Sequence, residues 1–147
     1  MIRRAVPAEA DAVRAVGLAA YQRYVAVIGT QPGPMLDDYA ARIARDQVWV
    51  LEEVGAIAGV LVLEDGRDGF LLDNIAVPPE RQGQGHGRVL LDFAEAEARR
   101  RGWDAITLYT HALMTENIAL YKARSYVERE RRREKGFDRV YMVKRLG

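Results

Sequence analysis

The sequence predicts an α/β fold, with one twisted, mixed but mostly antiparallel sheet of about seven strands flanked by about four helices. Three observations predict it. A β-rich run at 70–77, a helix-like run at 87–101 and a second β-rich run at 105–110 follow one another, the arrangement of a right-handed parallel crossover. Two further pairs of β-rich runs, 47–53 with 56–64 and 126–133 with 139–145, are divided by short turns and read as antiparallel hairpins. Helical spacing fills the stretches before and between them.

The elements follow in order. A short strand at 2–5 precedes Pro7. A helix is expected over 8–28, where Val13, Val16, Ala20, Tyr24 and Val27 recur at three- and four-residue steps. Gly29-Thr30-Gln31-Pro32-Gly33-Pro34 reads as a rigid loop. A second helix over 36–45 would be capped by Asp37 or Asp38. Val54-Gly55 is the turn of the first hairpin, and residues 65–69 turn the chain into the next strand. In the helix at 87–101, Leu90, Leu91, Ala94 and Ala98 form a core stripe that Gly102 closes. A last helix is expected over 115–124, and the final hairpin turns at 135–138.

Composition narrows the function classes. Hydrophobic residues make up 49% and charged residues 29%, enough for a core and for a hydrated surface. A net charge of +1 gives no general drive toward nucleic acid or membrane. The absence of cysteine excludes disulfides, thiolate-bound metal and a cysteinyl-acyl intermediate. Ser125 is the only serine and no G-x-S-x-G surrounds it, which disfavours a hydrolase. The longest apolar run, 57–63, is far short of a membrane span, and charges interrupt any leader at the N-terminus. A cytoplasmic protein is the expectation.

The most informative segment is Gln82-Gly83-Gln84-Gly85-His86-Gly87, with Arg88 opening the helix that follows. A glycine loop between a strand and a helix is an anion-binding design, because the first N–H groups of a helix lack partners and its dipole is positive there. Glycine also lets a phosphate approach the backbone without a Cβ in the way. A nucleotide-triphosphatase loop would need Gly-Lys-Ser/Thr, where Gly87-Arg88-Val89 stands. A dinucleotide loop would need glycine at position 88.

Gln82-x-x-Gly85-x-Gly87 resembles the Q/R-x-x-G-x-G/A motif of the GCN5-related N-acetyltransferases, the GNAT superfamily. The residues 72–78 before it resemble that family's fourth strand. Asn117-Ile118-Ala119-Leu120-Tyr121-Lys122-Ala123-Arg124-Ser125-Tyr126 resembles its later Asn-x-x-Ala-x-x-Leu-Tyr segment followed by Gly-Phe or Gly-Tyr. Ser125 departs from the usual glycine, which puts the local turn in question. The resemblance implies a single N-acetyltransferase domain over 1–147, with acetyl-CoA as cosubstrate and no metal. It implies a primary amine of a small molecule or peptide as acceptor. The lack of cysteine favours direct attack in a ternary complex.

Roles follow residue by residue. Gln82, Gly83, Gln84, Gly85, His86, Gly87 and Arg88 would seat the pyrophosphate, with His86 exposed beside it. The backbone of Ile75, Ala76 and Val77 would pair with the pantetheine arm, as an added strand does. Tyr121 would protonate the leaving thiolate. Asn117, four residues earlier on the same helical face, would hold a water or a pantetheine carbonyl. Asp73 is either a base for the amine or the anchor of a strand bulge. His111 is either a proton relay or a surface residue. Tyr21, Tyr24, Gln31, Pro32, Pro34, Met35 and Tyr39 would form the acceptor wall.

Two other readings stay open at this point. The fold can serve as an acyl-CoA sensor without transfer. Arg129, Arg131, Arg132, Arg133, Lys135 and Arg139 make a basic hairpin, although Glu128, Glu130 and Glu134 interleave with them and disfavour nucleic acid. A homodimer through the late strands is expected from the resemblance, and no membrane partner.

Overall fold

The computed structural model describes residues 1–147. Seven strands, β1 (Ile2–Arg4), β2 (Val48–Glu53), β3 (Ala56–Gly66), β4 (Gly69–Ala76), β5 (Ala105–His111), β6 (Val127–Glu134) and β7 (Phe137–Arg145), form one sheet in the order β1-β2-β3-β4-β5-β7-β6. Only β4 and β5 run parallel; every other neighbouring pair is antiparallel. The final strand therefore inserts between β5 and β6. It also starts at Phe137, earlier than the sequence suggests, because Lys135 and Gly136 alone make the turn, both at positive φ (51° and 82°).

Six helices replace the four expected. The long helix over 8–28 divides into a 3₁₀ turn at Pro7–Glu9, α1 (Ala10–Tyr21) and α2 (Tyr24–Ile28). Gly29 ends α2 at φ 91°, a left-handed cap. The supposed loop and second helix become α3 (Gly33–Leu36), with Pro34 in its first turn, and α4 (Tyr39–Ala44). Asp38 caps α4, its carboxylate accepting from the Ala41 N–H at 3.1 Å. The two later helices, α5 (His86–Arg100) and α6 (Thr115–Ala123), lie within a residue of their predicted bounds.

Both faces of the sheet are covered, which explains the unbroken apolar run in β3. Val60 and Val62 face α1 and α4 with Val13, Tyr39 and Ile43, while Leu61 and Leu63 face α5 with Leu90 and Leu91. Each such fully buried side chain contributes on the order of 1.5–3 kcal/mol. Gly59 permits the close approach of α5: a Cβ there would lie 2.8 Å from the Leu90 Cδ1.

The sheet parts at its centre. β4 pairs with β5 only where Phe70, Leu71 and Leu72 meet Ile106, Thr107 and Leu108, although both strands continue. Beyond that point β5 stays with β7 as far as His111, and β4 stays with β3 as far as Ala76. A bulge marks the divergence. Val62 opposes Asn74 and Leu63 opposes Leu72, so Asp73 is the extra residue, inside the segment where the sequence left a bulge open.

Candidate active site

The parted strands open a cleft with two chambers. The first is bounded by α1, α2, the 82–87 loop and α6, and its walls include Tyr21, Tyr24, Ile75, Gly83, Gly85 and Tyr121. The second lies between Pro32 and the start of α3, β4, β5 and β7, and its walls include Asp73, Tyr109, His111, Phe137 and Arg139. Tyr21, Ile75, Asn117 and Tyr121 border both. The α6 residues Asn117 and Tyr121 therefore stand where the chambers meet.

The loop at one end is built to receive an anion. Gly83 and Gly85 sit at φ 80° and 86°, the left-handed region that glycine tolerates, and Gly85 is the cap of α5. A Cβ at Gly83, Gly85 or Gly87 would meet only open space. The backbone N–H groups from Gly83 to Arg88 donate to no protein acceptor, whereas that of Gln82 is already given to Pro79. Six successive unpartnered donors at a helix start make a concave anion seat.

His86 departs from expectation. Its side chain is buried, with Nδ1 3.2 Å from the Arg81 carbonyl oxygen and Nε2 2.9 Å from the Glu53 carboxylate. Only its backbone remains in the loop. The sequence signal for this was slight, because Glu53 lies far upstream on β2. The Gln82 side chain bends back to donate to the Val77 carbonyl at 3.0 Å, and the Gln84 and Arg88 side chains are exposed. Two guanidinium groups that the sequence did not single out, Arg23 and Arg81, line the first chamber.

Along β4, the Ile75 carbonyl accepts from the Tyr21 hydroxyl at 2.7 Å. Backbone groups alternate between edges of a strand, so Ile75, whose carbonyl meets Tyr21, presents its own to the cleft and Ala76 turns its own to Val60, while the Val77 carbonyl beyond the strand is taken by Gln82. Ala76 thus leaves the set expected to meet a ligand. Asn74, buried, ties the strand to two helices: its amide donates to the Tyr39 hydroxyl at 2.9 Å, and its Oδ1 lies 2.8 Å from the Tyr21 hydroxyl. Tyr39 in turn donates to the Pro34 carbonyl at 2.6 Å.

Asp73 is held on both oxygens. Oδ1 accepts from the Tyr109 hydroxyl at 2.9 Å, and Oδ2 from Arg42 at 3.1 Å. Burial raises its pKa above the ordinary carboxylate value, against the opposing pull of Arg42 and Tyr109. Arg42 also contacts Asp37 and Glu64, so one guanidinium gathers three carboxylates beneath the cleft. Neither Arg42 nor Tyr109 carries a motif that marks it in the sequence.

Tyr121 is 5% exposed, packs edge-on to Tyr126 with ring centroids 5.8 Å apart, and borders both chambers with no side-chain hydrogen bond on its hydroxyl. Burial pushes its phenol well above the ordinary tyrosine range, so it stays protonated at neutral pH. The Asn117 amide lies 3.7 Å from the Met114 sulfur, a weak contact that leaves its oxygen free. His111 accepts from the Leu113 N–H at 3.0 Å, and burial lowers its pKa.

The sequence profile of the acetyltransferase (GNAT) domain matches residues 44–128, a stretch from the end of α4 into β6. The chain belongs to the GNAT acetyltransferase family. Its sequence is 35% identical over 83 residues to the [ribosomal protein bS18]-alanine N-acetyltransferase of Escherichia coli K12. That match spans 56% of each chain, so this chain covers about half the length of the curated relatives it resembles. The GNAT fold recurs in solved structures across nearly the whole chain. The PaiA N-acetyltransferase of Thermoplasma acidophilum, solved with coenzyme A, superposes with a TM-score of 0.83 at 18% identity, covering 99% of this chain and 98% of its own. The E. coli ribosomal-protein-S18-alanine N-acetyltransferase superposes with a TM-score of 0.77 at 23% identity, covering 99% and 93%.

Of the acceptor wall expected for this GNAT chain, Tyr21, Pro32 and Pro34 line the second chamber and Tyr24 lines the first. Gln31, Met35 and Tyr39 face a separate groove beside α1. No helix is long and apolar enough to cross a membrane.

Proposed function

We propose that this chain transfers an acetyl group from acetyl-CoA to a primary amine, by direct attack while both substrates are bound. The observation that carries this reading is the position of Tyr121, whose unpartnered, protonated hydroxyl stands at the junction of an anion-seating chamber and a second, aromatic chamber. The residues present fit a diphosphate-bearing acyl carrier. Unpaired amides from Gly83 to Arg88 match the diphosphate, and the cleft edge of β4 at Ile75, with the Val77 N–H just beyond it, matches an amide-bearing arm.

The carrier supplies an activated thioester. Tyr121 donates a proton at the departing sulfur, a task suited to a phenol that burial keeps neutral. Asn117, one helical turn before Tyr121, offers its free oxygen to an amide N–H or to a water at the junction. The amine enters through the second chamber, where Asp73 is the carboxylate at the wall. Arg42 and Tyr109 take one bond on each Asp73 oxygen and leave a further lone pair on each, through which Asp73 accepts the amine's proton, directly or by way of a water. The likeness to a ribosomal protein bS18-alanine N-acetyltransferase supports a peptide amine among the candidate acceptors.

The test is turnover of acetyl-CoA by the full chain against a panel of peptide α-amines and small primary amines. Free thiol released in step with acetylated amine is the expected result. Tight coenzyme A binding with no acceptor turned over would leave the sensor reading in its place. Parallel lines in initial-rate plots would replace direct attack with an acyl-enzyme.

A further inference from the structure

The basic hairpin resolves into two kinds of arginine. Arg131, Arg132 and Arg133 each hold a carboxylate, from Glu128, Glu130 and Asp138 respectively. Arg139, which faces Arg132 across β6 and β7 and His111 across β5, forms no ion pair; its polar side-chain neighbour is the Tyr141 hydroxyl, which engages only part of its fork of donors. It is instead laid over two rings, 4.5 Å from the Tyr109 centroid and 5.9 Å from that of Phe137. Its Nη2 reaches to 3.8 Å from where a Cβ on Gly33 would stand, so it spans from β7 to the start of α3 and forms part of the wall of the second chamber.

Stacking orients a guanidinium while leaving its in-plane N–H donors free, and free donors in a fixed fork match a carboxylate. Asp73 is on the same chamber wall but is paired with Arg42 and Tyr109, not with Arg139. Tyr109 links the two charges: its hydroxyl is on Asp73 and its ring lies under Arg139. A fixed negative group and a fixed, unmatched positive group thus stand one tyrosine apart in a chamber proposed to receive an amine.

We infer that Arg139 is a specificity-determining residue that reads a carboxylate on the acceptor, close to the amine that is acetylated. This rests on the acetyltransferase reading above. The acceptor class is an amine whose ammonium approaches Asp73 while its carboxylate takes the fork of Arg139. Two sources share that chemistry, a peptide with an acidic second residue and a free α-amino acid.

The test compares acceptors that differ only in that charge. Alanyl-glutamyl-alaninamide is set against alanyl-glutaminyl-alaninamide, and free alanine against alaninamide, with wild type, Arg139→Gln and Arg139→Lys. A charge-assisted hydrogen bond lost from a shielded site predicts a preference of about tenfold or more in kcat/KM for the carboxylate member of at least one pair. The pair that shows it identifies the source. Arg139→Gln should bring that ratio close to one, and Arg139→Lys should keep part of it. A wild type that does not favour either carboxylate, or a ratio that survives Arg139→Gln, overturns the inference. Calorimetry of the same four compounds with the coenzyme A-loaded protein separates the two levels. Carboxylate-dependent binding that Arg139→Gln abolishes, without turnover, upholds Arg139 and removes the transferase reading. Equal binding of all four, whatever the turnover, removes Arg139.

Discussion

Tyr21 places its hydroxyl 2.7 Å from the carbonyl oxygen of Ile75 and 2.8 Å from Oδ1 of Asn74, so one proton serves two acceptors where β4 has parted from β5. The contact fastens α1 to the diverging strand. Tyr21→Phe keeps the ring and removes the donor from a buried site. A loss of about 1–3 kcal/mol is expected in urea denaturation. An unchanged midpoint would show that water replaces the hydroxyl at no cost.

Gly85→Glu places a side chain at φ 86° and a negative charge in the anion seat. Strain of about 1–2 kcal/mol in stability is expected from the left-handed backbone. Coenzyme A affinity should fall by more than that strain accounts for, by well over tenfold in calorimetry. Retained affinity in a folded variant would move the diphosphate elsewhere.

Tyr121→Phe should lower kcat by about 10²-fold or more while leaving the KM for acetyl-CoA within a few-fold, as loss of a general acid does. The wild-type phenol, raised by burial, keeps its proton past the ordinary tyrosine range. The Tyr121-dependent rate should therefore show no alkaline decline below about pH 10, the ordinary phenol value. Equal kcat in the variant would remove Tyr121 from the chemistry.

Glu97 is buried near the end of α5 and accepts from Arg100 at 2.5 Å and from Arg101 at 2.7 Å. Those bonds, led by the one from Arg100, hold its carboxyl at about 2 against an ordinary 4.5. A carboxylate depressed in the folded state stabilises above its unfolded value, and that stability fades as the pH falls from about 4.5 toward 2. Glu97→Gln should flatten the fall in stability across this window, measured by urea titrations at stepped pH. Parallel slopes in variant and wild type would place the acid sensitivity on other groups.

Val54 sits at φ 48° in the β2–β3 turn, fully exposed, with Gly55 at φ 75° beside it. Two positive φ values suit asparagine-glycine and strain a β-branched residue. Val54→Asn should raise stability by about 1 kcal/mol in thermal denaturation. No rise would mean the hairpin absorbs the strain elsewhere.

What the sequence made legible was local. The loop from Gln82 to Gly87, the Val54-Gly55 turn and the stripe of α5 are each written in consecutive or helically spaced residues, and each lies where expected. Features settled between distant segments were not legible. Nothing at Gln22-Arg23 signals a break, because no glycine or proline stands there, yet the first helix divides at that point. His86 turns inward for a partner on β2, and Asp73 is held by Arg42 from α4 and Tyr109 from β5. Ser125 shows both sides. Its departure from glycine raised a question about the turn, and the chain adopts φ 74° there regardless, because the Ser125 and Tyr126 N–H groups close the end of α6 onto Lys122 and Tyr121.

The early parting of β4 from β5 leaves a ladder with its middle rungs missing. Under the proposed function, the acyl carrier supplies those rungs, and whatever binds the folded chain alone also protects it from unfolding. At a hundred times the dissociation constant that protection amounts to about 2.7 kcal/mol. The folded fraction of the protein, and so its resistance to proteolysis, would then rise and fall with the supply of charged carrier.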